Sequence, residues 1–544
     1  MSNQITILGG VLESSLVGGN SSNSTYYAIQ TPLIDATNAT LALSTPGTAT
    51  WLTAGPDSTW NFKAIDLNTG NSSHFANFRI NGATVNVGFD DLNQYGLMLS
   101  RGSNALSSLL VESGTLTATR IGIGRQQNNF QNAGTGSVEW SGGTIGNLAG
   151  GRDLLINSYD ITDNYGLQIN LTNAGDKTLS VESGRIAHVG PNANNLSAPG
   201  VIAGTNTSGA YLTGTEGRLV IAGGGTVRLY QSNSYSGQVK IDNGTLTLVG
   251  GSETFDGVSG TYSASIAPSA LEIATNGTLD LQNGTGLGGS GTVTFTGGLL
   301  RFSSNSVADL SGRIANSTGA IRIDTGDNTV TFASALASNN TGGLTKTGSG
   351  TLTLGGANTY GGASTVEAGK LVVNGSISSA TTVQSGATLG GSGTIASATI
   401  QTGGTIAPGN SPGTLTLTNG LTWQGGGNYN WQIFNANTNG TAGATNTWDL
   451  IAVTGGTWDI AGLSSTNKFN INLWSLSGLP DTTGTPLNFD PSGNYSWKIV
   501  DSVGITGSFN TNFFNINTGA VNGTGGFVGA TGLFSLEVNS NDLF

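Results

Sequence analysis

Apolar and polar residues alternate along most of this chain in short runs closed by glycine. Thr245-Leu246-Thr247-Leu248, Thr351-Leu352-Thr353-Leu354 and Thr414-Leu415-Thr416-Leu417 show the form. A period of two marks a strand that buries one face and wets the other. No window carries an apolar stripe long enough for a helix, because Gly and Thr interrupt each of them. The pattern predicts an all-β protein.

The strands recur within a fixed phrase, Gly-Thr followed by Leu, Ile or Val. It stands at Gly114-Thr115-Leu116, Gly143-Thr144-Ile145, Gly225-Thr226-Val227, Gly244-Thr245-Leu246 and Gly277-Thr278-Leu279. It returns at Gly291-Thr292-Val293, Gly350-Thr351-Leu352, Gly393-Thr394-Ile395, Gly404-Thr405-Ile406 and Gly413-Thr414-Leu415. Gly225 and Gly244 lie 19 positions apart (244 − 225), a fair length for one coil of a β-solenoid. In such a fold Gly takes the positive-φ corner, Thr points out, and the aliphatic residue points in. Coils of about 20–25 residues then stack through parallel strands ~4.8 Å apart.

The phrase divides the chain. Residues 1–104 carry strand signals, such as Gln4-Ile5-Thr6-Ile7-Leu8, without a clear repeat, and read as an N-terminal β cap or irregular coils. Residues 105–420 hold the repeats. Residues 421–544 contain six of the nine Trp, at 423, 431, 448, 458, 474 and 497. Large aromatics there are expected to close the open end of the solenoid as a β-rich cap or assembly domain.

Composition narrows the function classes. Of 544 residues 88 are Gly, none is Cys, and charged residues make up 9 %. Disulfide scaffolds, thiolate chemistry and Cys-ligated metals are excluded. The net charge of −12, without any run of Lys or Arg, speaks against nucleic acid and against anionic membrane surfaces. No apolar run is long enough to span a membrane as a helix, so no membrane insertion is expected. Met1 to Gln4 lacks the basic start of a secretion signal.

Residues 343–375 resemble the passenger-associated repeat of autotransporter proteins. Thr345-Lys346-Thr347-Gly348-Ser349-Gly350-Thr351-Leu352-Thr353-Leu354 carries its first half. Ala357-Asn358-Thr359-Tyr360-Gly361-Gly362 and Val366-Glu367-Ala368-Gly369-Lys370-Leu371 carry the rest. Ser232 to Gly237, with Val239 to Leu248, is a weaker copy. The resemblance implies a right-handed parallel β-helix displayed outside a bacterial cell. The 421–544 segment is too short for the translocator barrel that completes an autotransporter.

Catalytic chemistry is sparse. The densest acidic stretch, Asp153, Asp160, Asp163 and Asp176, is the one candidate for acid/base hydrolysis or a Ca²⁺ site. The bland reading, solvated loop carboxylates, outweighs it. His74 and His188 sit in no recognisable motif. Tyr230, Tyr235 and Tyr360 are read as exposed rings for sugars or, more often, as corner caps. Asn-rich runs at 126–129 and 192–195 suggest amide ladders between coils. The expectation is a non-enzymatic structural or adhesive solenoid at the bacterial surface, without a cofactor. It would be a homo-oligomer or filament joined through Ile5 and Ile7 at one end and Phe534, Leu536 and Val538 at the other. The alternatives are a monomeric passenger that binds glycans or a host surface, and a glycan-cleaving β-helix.

Overall fold

A computed structural model describes residues 4–6, 10–14, 25–29, 33–43, 45–46, 50–67, 74–87, 97–99, 106–123, 135–147, 154–158, 168–190, 211–255, 258–304, 307–437, 439–518, 527 and 533–544. Parallel strands stack coil upon coil, and the only helical segments among the described residues are the short 3₁₀ turns Ser311–Arg313 and Thr511–Phe513. The architecture is a β-solenoid, with no closed barrel among the described residues. The chain forms two compact units. One is Met1–Val293 with Gly298–Leu300, the other Thr294–Gly297 with Arg301–Phe544. That division falls inside the stretch that the repeat pattern treats as one block.

In the first unit the inward aliphatic of each coil sits beside that of the next. Trp60, Val85, Leu116, Ile145, Leu179, Ile221, Ile241 and Ile273 form one unbroken column. All eight are buried. Each such side chain contributes about 1.5–3 kcal/mol by leaving water, and the column exists because inward aliphatic positions recur in register from coil to coil. The stacking already runs through the strands Leu33–Leu43, Thr59–Leu67 and His74–Val87. The 19-residue spacing holds, since Thr226 pairs with Thr245. The next coil is longer because the antiparallel hairpin Gly250–Phe255 and Val258–Ser263 is inserted into it.

The second unit repeats the scheme with Val330, Leu352, Leu371, Leu389, Ile406, Tyr429, Ile471 and Ile516. Its coils range from 17 positions (406 − 389) to 45 (516 − 471). A loop bulges out wherever the strand register is kept and extra chain must go somewhere.

The role of glycine needs correction. Gly114, Gly143 and Gly244 do adopt positive φ, but Gly350 and Gly393 do not. A Cβ on Gly350 would lie 2.1 Å from the carbonyl oxygen of Asn328 in the coil beneath. Close approach of stacked backbones, rather than corner geometry, excludes a side chain there.

Candidate functional site

The strands that form the repeat also fix what the surface offers. Thr345, Thr365, Thr382, Thr399 and Thr422 stand side by side on successive strands. Each is half-buried. Just past the ends of these strands come Glu367, Gln384, Gln401 and Gln424. The second sheet of this unit ends in two amide columns. Asn470 donates to Asn428 at 3.1 Å and Asn515 to Asn470 at 2.9 Å. Beside them Asn472 donates to Asn430 at 2.8 Å and Asn517 to Asn472 at 2.6 Å. Amide ladders therefore exist at Asn-x-Asn strands. The runs at 126–129 and 192–195 lie outside the described residues.

Behind the surface, polar side chains of the repeat turn inward and tie coils together. The Asn358 Oδ1 accepts from the Leu336 N–H at 2.9 Å, and its Nδ2 donates to the carbonyls of Gly356 and Ser376 at 2.9 and 3.0 Å. Asn233 and Asn340 do the same in their own coils. The Tyr235 hydroxyl lies 2.9 Å from both the Gly217 and the Gln238 carbonyl oxygens and has one hydrogen to donate between them. The Tyr360 hydroxyl meets Ser364 Oγ at 2.5 Å. Tyr230, Tyr235 and Tyr360 are all buried, so none of the three rings is a sugar platform. Burial pushes the phenols of Tyr235 and Tyr360 up to about 12.

Lys346 occupies an inward position, between Ile323 and Val366 on the neighbouring strands. It is fully buried. Its Nζ donates to the carbonyls of Thr347, Gly348 and Ala368 at 2.7, 2.8 and 3.2 Å. Lys177 repeats the device, donating to the Asn173 and Gly175 carbonyls. Burial lowers the Lys346 ammonium to about 8 from 10.5. Between those values the unfolded chain binds the proton that the folded chain has released, so stability rises with pH across that window. The gain is up to roughly 3 kcal/mol. The urea midpoint of the wild type should therefore rise relative to that of Lys346→Met between pH 7 and pH 10, whereas parallel pH profiles would refute the assignment.

The last coils close differently from the rest. The strand Val500–Ser502 is covered by an antiparallel partner, Val500 beside Leu543, and the hairpin is completed by Val538 with Leu543. Inside, Phe489, Tyr495 and Trp497 stack in series, with centroids 5.6 and 4.9 Å apart. Trp497 then packs on Trp431 and Phe527. Against this cap lies a cavity of about 340 Å³. Its buried lining includes Trp431, Leu473, Trp497 and Leu536, and its exposed lining includes Asn494, Ser496, Ser535 and Glu537. A recess of this size, lined by both polar and apolar residues, lies in the range of small-ligand sites.

The residues singled out from sequence are placed as follows. Asp153, Asp160 and Asp163 lie outside the described residues, as does Ile7. Asp176 forms a two-point ion pair with Arg218, at 3.0 and 2.7 Å, and that partner holds its carboxyl below the usual range. His188 rests on Tyr230, Nδ1 to hydroxyl 2.9 Å. Among the described residues no three His, Asp or Glu gather to hold a metal. Ile5 belongs to the strand Gln4–Thr6, which pairs in parallel with Leu33–Leu43, Ile5 beside Ile34. Phe534 packs on Phe527 at 4.8 Å, Leu536 is buried, and Val538 sits in the closing hairpin. The alternation at 533–537 suggests a strand, but the strand begins only at Val538.

The coils that hold Lys346, Asn358, Asn233 and Tyr235 coincide with two matches to a family model. The model is the passenger-associated-transport-repeat, and it matches residues 219–262 and 344–373. These two segments are passenger-associated-transport-repeats. The repeat is that of autotransporter passengers, so the chain is a repeat protein of extracellular type. No curated protein matches the chain significantly. Within the repeat, the Thr of Gly-Thr-Leu faces out, the Leu faces in, and the Lys, Asn and Tyr are internal fasteners. Sequence reading missed the Thr-x-Gln surface. Its signal was present in Thr365-Val366-Glu367, Thr382-Val383-Gln384, Thr399-Ile400-Gln401 and Thr422-Trp423-Gln424.

Proposed function

We propose that this chain is a non-enzymatic β-solenoid of the bacterial surface whose work is adhesive, in the manner of an autotransporter passenger. The observation that carries the reading is the closure of Val500–Ser502 by the chain's own terminal hairpin. An exposed strand edge is a template for another chain; here Val500 is paired internally, while Phe514–Asn517 in the second sheet pairs on one side alone among the described residues. The polar chemistry of the described residues supports the same reading. Its charged groups pair in structural bridges, such as Arg79 with Glu112 and Arg301 with Asp324, and its inward polar groups bind backbone. No cofactor enters this reading.

A second reading is a fibre or layer subunit joined through long faces instead of ends. The Asn428–Asn470–Asn515 and Asn430–Asn472–Asn517 columns favour it, because amide ladders of equal period on two copies can interlock. Negative-stain microscopy of the purified chain at neutral pH, with and without Ca²⁺, separates the two. Discrete particles in both conditions are expected. Regular fibres or sheets would replace the passenger reading with the assembly one.

A further inference from the structure

We infer that the cavity at the C-terminal cap is a carbohydrate site, and that it takes a single neutral pyranose, a hexose or N-acetylhexosamine. The inference rests on the adhesive reading and names the chemistry of its ligand. Half-buried Phe489 and Tyr495, with edges of Leu473 and Leu536, give the cavity its apolar surface, and Asn494, Ser496, Ser535 and Glu537 are exposed residues of its lining. A pyranose has the matching character, with a C–H face for the apolar surface and a belt of hydroxyls for a carboxylate, an amide and two serines. A carboxylate accepts from two adjacent hydroxyls at once, and an amide both donates and accepts.

Charge and ring geometry exclude the competing ligand classes. Lys498, which lies 5.8 Å from the centroid of the cavity residue Phe544, is already bound by Asp542 at 2.7 Å and Asp501 at 3.3 Å. Glu537 adds a further negative charge, so an acidic sugar or a phosphate meets repulsion. An organic cation needs open ring faces around it. Tyr495 has one face against Phe489 and the other against Trp497, and Lys498 is the cation over Phe544. That leaves neutral ligands, among which a polyhydroxyl one matches the hydroxyl, amide and carboxylate groups of the lining.

Saturation-transfer NMR on the full chain tests this with four kinds of probe. They are free neutral hexoses, N-acetylhexosamines, N-acetylneuraminic acid and tetramethylammonium. A neutral sugar should respond, strongest at the protons of one ring face. Glu537→Ala and Asn494→Ala should each weaken it by about tenfold, the worth of one good hydrogen bond to a charged or amide group. Both residues are exposed, so thermal melting of the two variants should match the parent, and Gln401→Ala on another face should bind normally. A response confined to tetramethylammonium or to N-acetylneuraminic acid would overturn the ligand class. A neutral-sugar response untouched by both variants would overturn the site. Attachment of protein-coated beads to cultured cells, measured in parallel, reports on the adhesive reading by itself. Attachment without any sugar response sinks the carbohydrate site alone, and absence of both sinks the two together.

Discussion

Replacing Asn358 with Leu is expected to destabilise the C-terminal unit by about 2–5 kcal/mol, since the buried Leu336 N–H loses its side-chain acceptor and the Ser376 carbonyl its side-chain donor, at ~1–3 kcal/mol each. The substitution keeps the branched shape of the side chain but puts two methyl groups where an oxygen and an NH2 stood, so overpacking at this buried site adds to the loss of hydrogen bonds. The Leu336 N–H and the Ser376 carbonyl bond to this amide, and the Gly356 carbonyl shares it with the Ser376 N–H at 3.0 Å. They belong to three different coils, which makes Asn358 a fastener through the stack. Asn358→Asp keeps the acceptor for Leu336 but removes both donors and buries a charge, so it should be at least as damaging at neutral pH. Because solenoids unfold partly coil by coil, hydrogen exchange at the Leu336 amide is the sharper readout beside the urea midpoint. Unchanged protection there would show that the amide is not needed.

Trp423→Ala should cost about 3–5 kcal/mol, the range for deleting a large buried ring. Trp423 stacks flat on Phe469 with centroids 4.1 Å apart and meets Trp458 edge-on at 5.0 Å and Tyr429 at 5.9 Å. It is buried, and its Nε1 has no hydrogen-bond partner among the described residues. The effect is therefore one of packing and ring contact, which adds about 0.5–1.5 kcal/mol per aromatic pair beyond area. Trp423→Phe, which keeps a ring and removes the orphaned N–H, should recover most of the loss. Urea unfolding followed by tryptophan fluorescence, with near-ultraviolet dichroism for ring order, measures both. A loss below about 1 kcal/mol for the alanine variant would mean that the coil collapses to fill the space.

Much of this fold was legible before any coordinates. The alternation in Thr351-Leu352-Thr353-Leu354 places Leu352 in the inward column, and the 19-residue step from Thr226 to Thr245 is an observed pairing. The passenger-type repeat was legible too, because Lys346, Asn358 and Tyr360 fall at its fixed positions. What those three do was not. A lysine between Ile323 and Val366 reads as a surface residue, and only the ring of carbonyls around its Nζ explains why it is inside. Tyr235 and Tyr360 come just before bends at Gly237 and Gly361-Gly362, and whether a ring at a bend faces water or core depends on the coil below. The candidate cavity had no local signal at all. Its exposed groups come from residues 494–496 and 535–537 and its buried lining from Trp431 and Leu473, which meet only in the folded chain.

The sequence by itself determined the strand period, the inward and outward assignment of the repeat positions, and the identity of the repeat. Each of those is set by neighbours within a few residues, through alternation and through glycine where backbones approach. Tertiary structure alone decided how the last coils close. Val500 pairs with Leu543, 43 positions on (543 − 500), and nothing around either residue names the other. Strand partners are chosen by register and by what else is left to bury, so a closing hairpin and the recess beside it exist only once the coils before them have stacked.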